Sequence, residues 1–270
     1  MSRFGGVDCG SWFTKAAVID ASGNLLGRAA VRTGADIRSA ARRALDEALA
    51  ASGLSDGDLS SVWATGFGRD NVDFADGRRT ELDCHARGVA HYVQGPLTIV
   101  DIGGQDTKVI RLDEKGRRVS HKMNRKCAAG TGSFLDEIAL RLEVDVGELD
   151  GIAREYREDL ELGSFCTVFA ATELLAAIRR GTPPADLVRA AYRSLVKRVL
   201  AMDVFRGEVV ATGGVVAHHP MVVELMEESL GVRVTVPPHP QEMGAFGAAL
   251  AARAAAQAGA PARAGREDEE

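Results

Sequence analysis

A pattern of six residue positions occurs twice in this chain and constrains the fold more than any other feature. The first copy is VDCGSWFTKAAVID at residues 7–20, and the second is VDIGGQDTKVIRLD at residues 100–113. In each copy an apolar residue precedes Asp. Counted from that Asp, Gly stands at the second position, Thr-Lys at the sixth and seventh, and another Asp at the twelfth. Because chance rarely matches six fixed positions, the repeat predicts two halves built on one plan.

Secondary-structure signals recur in the same order in both halves. Apolar alternation and Gly turns predict strands, and the spacing of Ile37, Leu45 and Leu49 predicts a helix capped by Asp36. The predicted strands run through Val7 and over 14–19, 25–31, 61–65, 98–102, 108–112, 118–123 and 208–211. The predicted helices cover 36–51, 84–93 and 133–142, and a further one starts near Pro220. Three strands followed by helices, occurring twice, predict an α/β protein with an internal structural repeat.

The hairpin that opens each half has the residues of a phosphate clamp. Gly lets backbone N–H groups approach oxygens closely, and Ser or Lys adds further donors. An Asp at a strand end is suited to hydrated magnesium, which takes one or two carboxylates. The candidates are Asp8, Gly10, Ser11 and Lys15 in the first hairpin and Asp101, Gly103 and Gly104 in the second. The alternative is a pair of ordinary β-hairpins with Gly turns.

A third glycine cluster, Gly213-Gly214, follows the predicted strand at 208–211. Two glycines after a strand let the backbone pass close to a flat base or a phosphate. We therefore expect this segment to contact a nucleoside.

Composition narrows the function classes. The 270 residues are 46% apolar and 26% charged, as in an ordinary globular protein. A net charge of −5 argues against a non-specific nucleic-acid binder, which usually carries a basic excess. No apolar run reaches the roughly 18 residues of a membrane span, and the first ten residues lack a signal sequence. We therefore expect a cytoplasmic protein that binds neither nucleic acid nor membrane, with its four cysteines reduced.

Two of the cysteines stand where helices are predicted to start. Cys127 precedes the helical run at 133–142, and Cys166 precedes TVFAATELL. Helix N-termini stabilise a thiolate or an anionic cluster, and an iron–sulfur cluster usually takes four thiolates. A two-fold dimer sharing one cluster would supply four; the alternative is a pair of buried thiols. Cys9 and Cys84 lack suitable partners in the sequence, so we expect both to be packing residues.

The motifs together carry a resemblance. Asp8-x-Gly10, Asp101-x-Gly103 and the Gly213-Gly214 strand end resemble the actin, sugar kinase and heat-shock chaperone ATPase superfamily. NRKCAAGTGSFLDEIA and SFCTVFAATE are more specific, and TGFGR, ELDCHARG, DIGGQD and GAFGAAL accompany them. Over about residues 4–252 the chain resembles the ATPase activators of 2-hydroxyacyl-CoA dehydratases and the ATPase subunits of benzoyl-CoA reductase.

The resemblance implies an architecture. It is an α/β fold of two related ribonuclease H-like lobes, the actin-like ATPase fold, with a nucleotide cleft between them. The first lobe would comprise residues 1–96 joined by a returning helix at 244–255. The second, residues 97–243, would carry the cluster cysteines. Independently of the resemblance, the acidic and Ala-rich segment from Arg253 to Glu270 has no apolar periodicity, so we expect residues 256–270 to form a disordered tail or a frayed helix end.

Site roles follow from the same resemblance. It implies that ATP or ADP binds with Mg2+, and that the ion or its waters are held by Asp8 and Asp101. Gln105 would orient the attacking water, and Gly244 would begin the returning helix. The phosphates would lie among Gly10, Ser11, Lys15, Gly103 and Gly104, and the nucleoside on Gly213 and Gly214. A 4Fe-4S cluster would be shared between two subunits through Cys127 and Cys166 of each.

The implied function is ATP-driven transfer of single low-potential electrons from this cluster to an acyl-CoA dehydratase or reductase. A ferredoxin or flavodoxin would supply the electrons to a homodimer. Three alternatives remain open at the level of sequence. They are an ATPase subunit of a benzoyl-CoA reductase complex, a small-molecule kinase of the same fold, and an actin-like scaffold.

Overall fold

The computed structural model describes residues 2–124, 127, 130–162 and 167–259. They form two compact units, one within Met1–Gln94 and Glu242–Glu270 and the other within Gly95–Gln241. Each unit is an α/β structure with its own five-stranded sheet.

In its described residues the first unit has five strands and three α-helices. Its sheet has the order β3-β2-β1-β4-β5, in which β1 is antiparallel to β2 and parallel to β4. The strands are β1 (Arg3–Cys9), β2 (Phe13–Asp20), β3 (Leu25–Arg32), β4 (Ser61–Thr65) and β5 (Gly77–Arg78). The helices are α1 (Ile37–Ser52), α2 (Glu81–Tyr92) and α9 (Met243–Gln257).

Local sequence explains the bounds of α1. The Asp36 carboxylate accepts the Ser39 backbone N–H at 3.0 Å, which satisfies one of the amides that a helix start leaves unpaired. Gly53 ends the helix in the left-handed conformation, with φ of +67°. The buried face of α1 is built from Ala and Leu and packs on β1–β3. The predicted helix and its cap are confirmed.

Glycines let α9 lie directly on its neighbours in the first unit. A Cβ atom at Gly6 of β1 would overlap the carbonyl oxygen of Ala245, and one at Gly247 would overlap that of Cys84 on α2. Neither position has room for a side chain. The GAFGAAL motif therefore serves close backbone packing that brings the start of α9 to β1.

The second unit repeats this plan. Its sheet has the order β10-β9-β6-β7-β8, in which β6 is antiparallel to β7 and parallel to β9. The strands are β6 (Leu97–Ile102), β7 (Thr107–Leu112), β8 (Arg118–Asn124), β9 (Glu208–Thr212) and β10 (Val234–Thr235). The helices are α3 (Gly132–Leu142), α4 (Leu149–Arg154), α5 (Thr167–Arg179), α6 (Pro184–Leu200), α7 (Gly214–His218) and α8 (Pro220–Leu230).

The two sheets confirm the repeat read from the sequence. In each unit three antiparallel strands run from one edge of the sheet to its centre, and the third of them is the central strand. Two further strands, parallel to the central strand, complete the sheet. The central strands β1 and β6 are almost entirely buried. Each unit has its own hydrophobic core, one gathered around β1 and α1 and the other around β6, α3, α6 and α8.

Three details differ from the sequence-based expectations. Helix α2 begins at Glu81 and not at Cys84, because the Thr80 hydroxyl caps it by accepting the Asp83 N–H at 3.3 Å. The short helix α7 was not predicted. Helix α9 continues through Gln257, into the segment expected to be a tail, and residues 260–270 lie outside the described part of the chain. Within the described residues no helix combines the length and apolarity that a bilayer crossing requires.

Candidate functional site

Asp8 is the buried carboxylate of the first hairpin. It lies opposite Lys15 in the β1–β2 register, and Lys15 Nζ is 3.0 Å from Asp8 Oδ2. The other oxygen, Oδ1, is buried and has no hydrogen-bond partner among the described residues. A buried carboxylate oxygen without a partner is costly, so this atom is available for a ligand that brings its own positive charge or donor.

Two glycines flank this carboxylate. Gly66 directly follows β4 and has φ of +86°, and a Cβ atom there would fall on Asp8 Oδ1. Gly244 lies on the other side, where a Cβ atom would be 2.8 Å from Asp8 Oδ2. The missing side chains leave the Asp8 carboxylate against bare backbone, as expected at a site that admits a bulky anion or a hydrated ion.

The turn between β1 and β2 contains the other candidates of the first hairpin. The Thr33 hydroxyl donates to the Gly10 carbonyl at 2.8 Å, and the Gly10 N–H donates to the Asp8 carbonyl at 3.2 Å. A Cβ atom at Gly10 would lie 3.1 Å from Lys15 Nζ. Ser11 is exposed at the tip of the turn. Gly10, Lys15 and Asp8 therefore lie together.

Asp101 is the corresponding carboxylate of the second hairpin. It lies opposite Lys108 in the β6–β7 register, and Lys108 Nζ is 3.2 Å from Asp101 Oδ2. The same ammonium is 2.8 Å from Oδ1 of Asp106, a contact that the sequence did not predict. Thr212 Oγ1 also donates to Asp101 Oδ1, at 3.4 Å. In the second hairpin one ammonium is therefore shared between two carboxylates.

The turn after β6 is tied to the helix that follows the Cys127 segment. Its Gly103 N–H donates to the Asp106 carbonyl at 2.9 Å, which closes the turn. The Gly103 carbonyl then accepts the Gly132 N–H at 2.9 Å, and the Gly104 carbonyl accepts the Ser133 N–H at 2.8 Å. Two amides at the start of α3 thus bond to the candidate phosphate turn.

Gln105 lies in the same turn, between Gly104 and Asp106, and is exposed. Its exposure is compatible with a contact to a ligand or a water molecule. Its role in orienting the attacking water stays a prediction.

Gly213 and Gly214 join β9 to α7. Gly213 has φ of +99°, and a Cβ atom there would be 2.7 Å from Asp101 Oδ1. Its N–H donates to the Pro240 carbonyl at 3.0 Å, and Gly214 begins α7. The structure therefore brings Gly213 to the second carboxylate, and the predicted nucleoside contact stays a prediction.

A second, shorter sequence repeat accompanies this arrangement. The tripeptide Ala-Thr-Gly occurs at 64–66 and again at 211–213. Its Thr pairs in register with Asp8 in the first unit and with Asp101 in the second. Each hairpin carboxylate therefore faces a positive-φ glycine that directly follows a neighbouring parallel strand.

Cys127 is exposed and lies between β8 and α3. The Asn124 side chain holds its backbone from both sides. Asn124 Nδ2 donates to the Cys127 carbonyl at 2.9 Å, and the Cys127 N–H donates to Asn124 Oδ1 at 3.2 Å. The Thr107 hydroxyl, next to Lys108 in β7, donates to the Gly130 carbonyl. Cys166 lies outside the described residues, so the predicted pairing with Cys127 stays a prediction.

The other two cysteines are buried, as predicted. Burial, followed by the charge of Asp8, raises the pKa of Cys9 to about 12. Burial also raises the pKa of Cys84 to about 12. Both thiols are therefore protonated at neutral pH and are poor metal ligands there.

The residues present fit the groups that the resemblance implies. Asp8 Oδ1, unpartnered and flanked by Gly66, suits magnesium or one of its waters, and the Gly10 turn suits a phosphate. The exposed Cys127 thiol, unlike the buried ones, is open to an iron–sulfur cluster.

Two α/β units with the same hairpin-first sheet, each pairing a buried Asp with a Lys beside a bare glycine, define an ATPase of the actin-like fold. The chain belongs to the BadF/BadG/BcrA/BcrD ATPase family, whose model matches residues 6–252. The predicted family, fold class and ATPase class are confirmed.

Individual relatives show which members of this family the chain is similar to. The chain is 39% identical over 256 residues to the activator of lactoyl-CoA dehydratase from Anaerotignum propionicum, covering 93% of this chain and 98% of that protein. It is 29% identical over 221 residues to a benzoyl-CoA reductase subunit from Thauera aromatica, covering 78% and 77%. Among solved structures, the activator of the 2-hydroxyisocaproyl-CoA dehydratase from Clostridium difficile, with bound ADPNP, superposes with a TM-score of 0.90 at 36% identity, covering 95% and 96%.

Proposed function

We propose that this protein is an ATP-dependent activator that hydrolyses ATP to drive single-electron transfer to an acyl-CoA dehydratase. The electron would come from a 4Fe-4S cluster bridging a homodimer. Support comes from near full-length similarity to a dehydratase activator, which exceeds the similarity to the benzoyl-CoA reductase subunit in both identity and coverage. The reductase-subunit role is therefore the second candidate.

Each hairpin has a distinct task in this proposal. Asp8 and Asp101 hold magnesium or its waters, while Gly10, Ser11, Lys15, Gly103 and Gly104 surround the phosphates. Lys15 and Lys108 fix the orientation of the carboxylates before the ligand arrives, because each donates to the Oδ2 atom of its partner. Gln105 orients the water that attacks the terminal phosphate, and its exposed position leaves it free to do so.

The observation that carries the proposal is the pair of hydrogen bonds between the Gly103–Gly104 turn and the start of α3. A phosphate bound against this turn would shift the turn, and with it the Gly103 and Gly104 carbonyls that accept the Gly132 and Ser133 amides. Helix α3 directly follows the Cys127 segment, whose Gly130 carbonyl is held by Thr107 of the same hairpin. A change in the nucleotide therefore has a bonded route to Cys127.

Cys127 and Cys166 would provide thiolates, two from each subunit. When bound, the cluster supplies a one-electron redox centre. Asn124 fixes the backbone of Cys127 while leaving the thiol exposed. The direct source of electrons would be a ferredoxin or flavodoxin.

The free energy of ATP hydrolysis is sufficient to drive this electron transfer. For a single electron about 59 mV corresponds to a tenfold change in equilibrium, or about 1.4 kcal/mol. Lowering the potential by roughly 200 mV therefore costs about 4.6 kcal/mol per electron. Hydrolysis supplies that free energy, and the return of the protein to its resting arrangement releases the partner.

The test uses the anaerobically purified protein, reduced with dithionite, and the lactoyl-CoA dehydratase component. Dehydration of lactoyl-CoA is measured with ATP, with ADPNP and without nucleotide. We expect dehydration only in the sample with ATP, and none with ADPNP or without nucleotide. Activity that is independent of nucleotide would contradict the proposal. Activity with a benzoyl-CoA reductase that lacks its own related ATPase subunit, and none with the dehydratase, would establish the second candidate.

A further inference from the structure

We propose that Gly66 is a positioning residue for Asp8, and that it keeps Asp8 Oδ1 open toward the magnesium ion of bound ATP. This inference rests on the proposed magnesium role of Asp8. Gly66 stands outside the two hairpins and outside the Gly213-Gly214 segment, in the TGFGR segment after β4. It reaches the site because β4 runs parallel to β1 with Thr65 opposite Asp8.

Geometry distinguishes Gly66 from an ordinary turn glycine. Its φ of +86° disfavours any side chain, and a Cβ atom would overlap Asp8 Oδ1 and lie 2.7 Å from the Cys9 carbonyl oxygen. The Gly68 N–H also donates to that Cys9 carbonyl, at 2.9 Å. The segment after β4 is thus fixed to the end of β1 beside the carboxylate.

The second unit contains the same device. Gly213 follows β9 with φ of +99°, and its Cβ position lies 2.7 Å from Asp101 Oδ1. Two glycines in equivalent places, each against the Oδ1 atom of a hairpin Asp, indicate a shared requirement. That requirement is a carboxylate whose Oδ2 atom is held by Lys and whose Oδ1 atom lies against a glycine without a side chain.

The consequence for Asp8 is specific. A methyl group at Gly66 would meet both Asp8 Oδ1 and the Cys9 carbonyl group, so the carboxylate must turn about its Cβ–Cγ bond and the end of β1 must shift. Both changes move the Asp8 carboxylate relative to Lys15. Magnesium has a strict octahedral geometry, so a rotated ligand weakens its binding. The expected defect is a raised magnesium requirement, which a general loss of stability would not produce.

The chain offers a matched control at Gly53, the residue that ends α1. Gly53 also has a positive φ, +67°, but nothing lies within 4 Å of its Cβ position. Gly53→Ala therefore introduces backbone strain in the same unit without touching a carboxylate. In the second unit, Gly231 has φ of +66° and similar open space, so Gly231→Ala is the control for Gly213→Ala.

The experiment measures ATP hydrolysis against Mg2+ concentration for the wild type, Gly66→Ala and Gly53→Ala, with thermal unfolding of each. We expect Gly66→Ala to need at least about tenfold more Mg2+ for half-maximal rate, and Gly53→Ala to be less stable with the wild-type requirement. If Gly66→Ala needs no more Mg2+ than the wild type, the inference is overturned. If Gly66→Ala does not fold, the Mg2+ requirement of Gly213→Ala is compared with that of its control, Gly231→Ala. A requirement in Gly213→Ala equal to that of the wild type then overturns the inference.

The wild-type curve separates this inference from the proposed function. If the rate of ATP hydrolysis by the wild type does not depend on Mg2+, the magnesium role of Asp8 is overturned, and the inference with it. Magnesium-dependent hydrolysis without electron transfer to a dehydratase would overturn the activator role and leave the inference standing.

Discussion

Lys108 Nζ lies 3.2 Å from Asp101 Oδ2, and both side chains are buried in the centre of the second sheet. The corresponding pair of the first sheet, Lys15 and Asp8, has the same register and a 3.0 Å separation. The two ammonium groups differ in surroundings. The Lys108 side chain is 1% exposed and lies between two carboxylates, whereas that of Lys15 is 16% exposed and lies beside Asp8.

Replacing these lysines is expected to have unequal effects on stability. Lys108→Met leaves Asp101 and Asp106 close together without their shared cation, and we expect a loss of about 3 kcal/mol in the free energy of unfolding. Lys15→Met should cost less, because water reaches its partner more easily once the lysine is gone. Urea unfolding of both variants tests this order. Equal losses would contradict the difference in burial.

Cysteine reactivity should divide the thiols in two classes. Burial raises the pKa values of Cys9 and Cys84 to about 12, and both are closed to reagents, while Cys127 is exposed. In the metal-free protein at pH 8, iodoacetamide should modify Cys127 and leave Cys9 and Cys84 unreacted until the protein unfolds. Peptide mass spectrometry after brief labelling gives the result. Early labelling of Cys84 would show that α2 opens in the native state.

Asn124 should control the retention of iron. Asn124→Ala removes both hydrogen bonds to the Cys127 backbone, and Asn124→Asp keeps the acceptor for the Cys127 N–H while losing the donor to its carbonyl. We expect a chelator to remove iron several-fold faster from Asn124→Ala than from the wild type, with Asn124→Asp in between. The measurement is the loss of visible absorbance under anaerobic conditions. Identical rates in all three proteins would show that the Asn124 contacts do not hold the site.

His219 should make the protein less stable in mild acid. It is buried with its Nδ1 atom 2.8 Å from Tyr192 Oη, and burial lowers its pKa to about 4, although Asp150 opposes the shift. As pH falls below 6.5, the unfolded chain takes up a proton that folded His219 does not. This group's contribution is therefore complete above pH 6.5 and is lost toward pH 4, by about 2 kcal/mol at pH 5.

The control for this effect is His219→Asn, which removes the titrating group. Its urea unfolding should lose less stability between pH 8 and pH 5 than that of the wild type. The same pH dependence in both proteins would assign the effect to other groups.

The sequence predicts the hairpins well because their signals are local. Alternating apolar residues and an Asp-x-Gly turn lie within one short segment, so the strands around Asp8 and Asp101 follow directly. The contribution of β4 and β9 does not, because parallel neighbours come from distant segments and are set by sheet packing. Two sequence signals include Gly66: the TGFGR motif and the repeated Ala-Thr-Gly tripeptide. Neither predicts that Gly66 lies against Asp8.

The side-chain contacts around Cys127 could not be predicted from the sequence either. The resemblance predicts Cys127 as a ligand, but the hold of Asn124 on its backbone depends on where β8 ends. Asp106 likewise looks like one more turn residue in GGQD. Its contact with Lys108 is seen only when the closed turn brings it back over β7.

We propose above that Cys127 and Cys166 bind a 4Fe-4S cluster shared by two subunits. The most direct test is iron and acid-labile sulfide per chain after anaerobic purification of the wild type, Cys127→Ala, Cys166→Ala and the buried control Cys84→Ala. We predict about two irons and two sulfides per chain in a dimeric wild type and in Cys84→Ala, and their loss in the other two. A wild type without iron under strictly anaerobic conditions would contradict the claim.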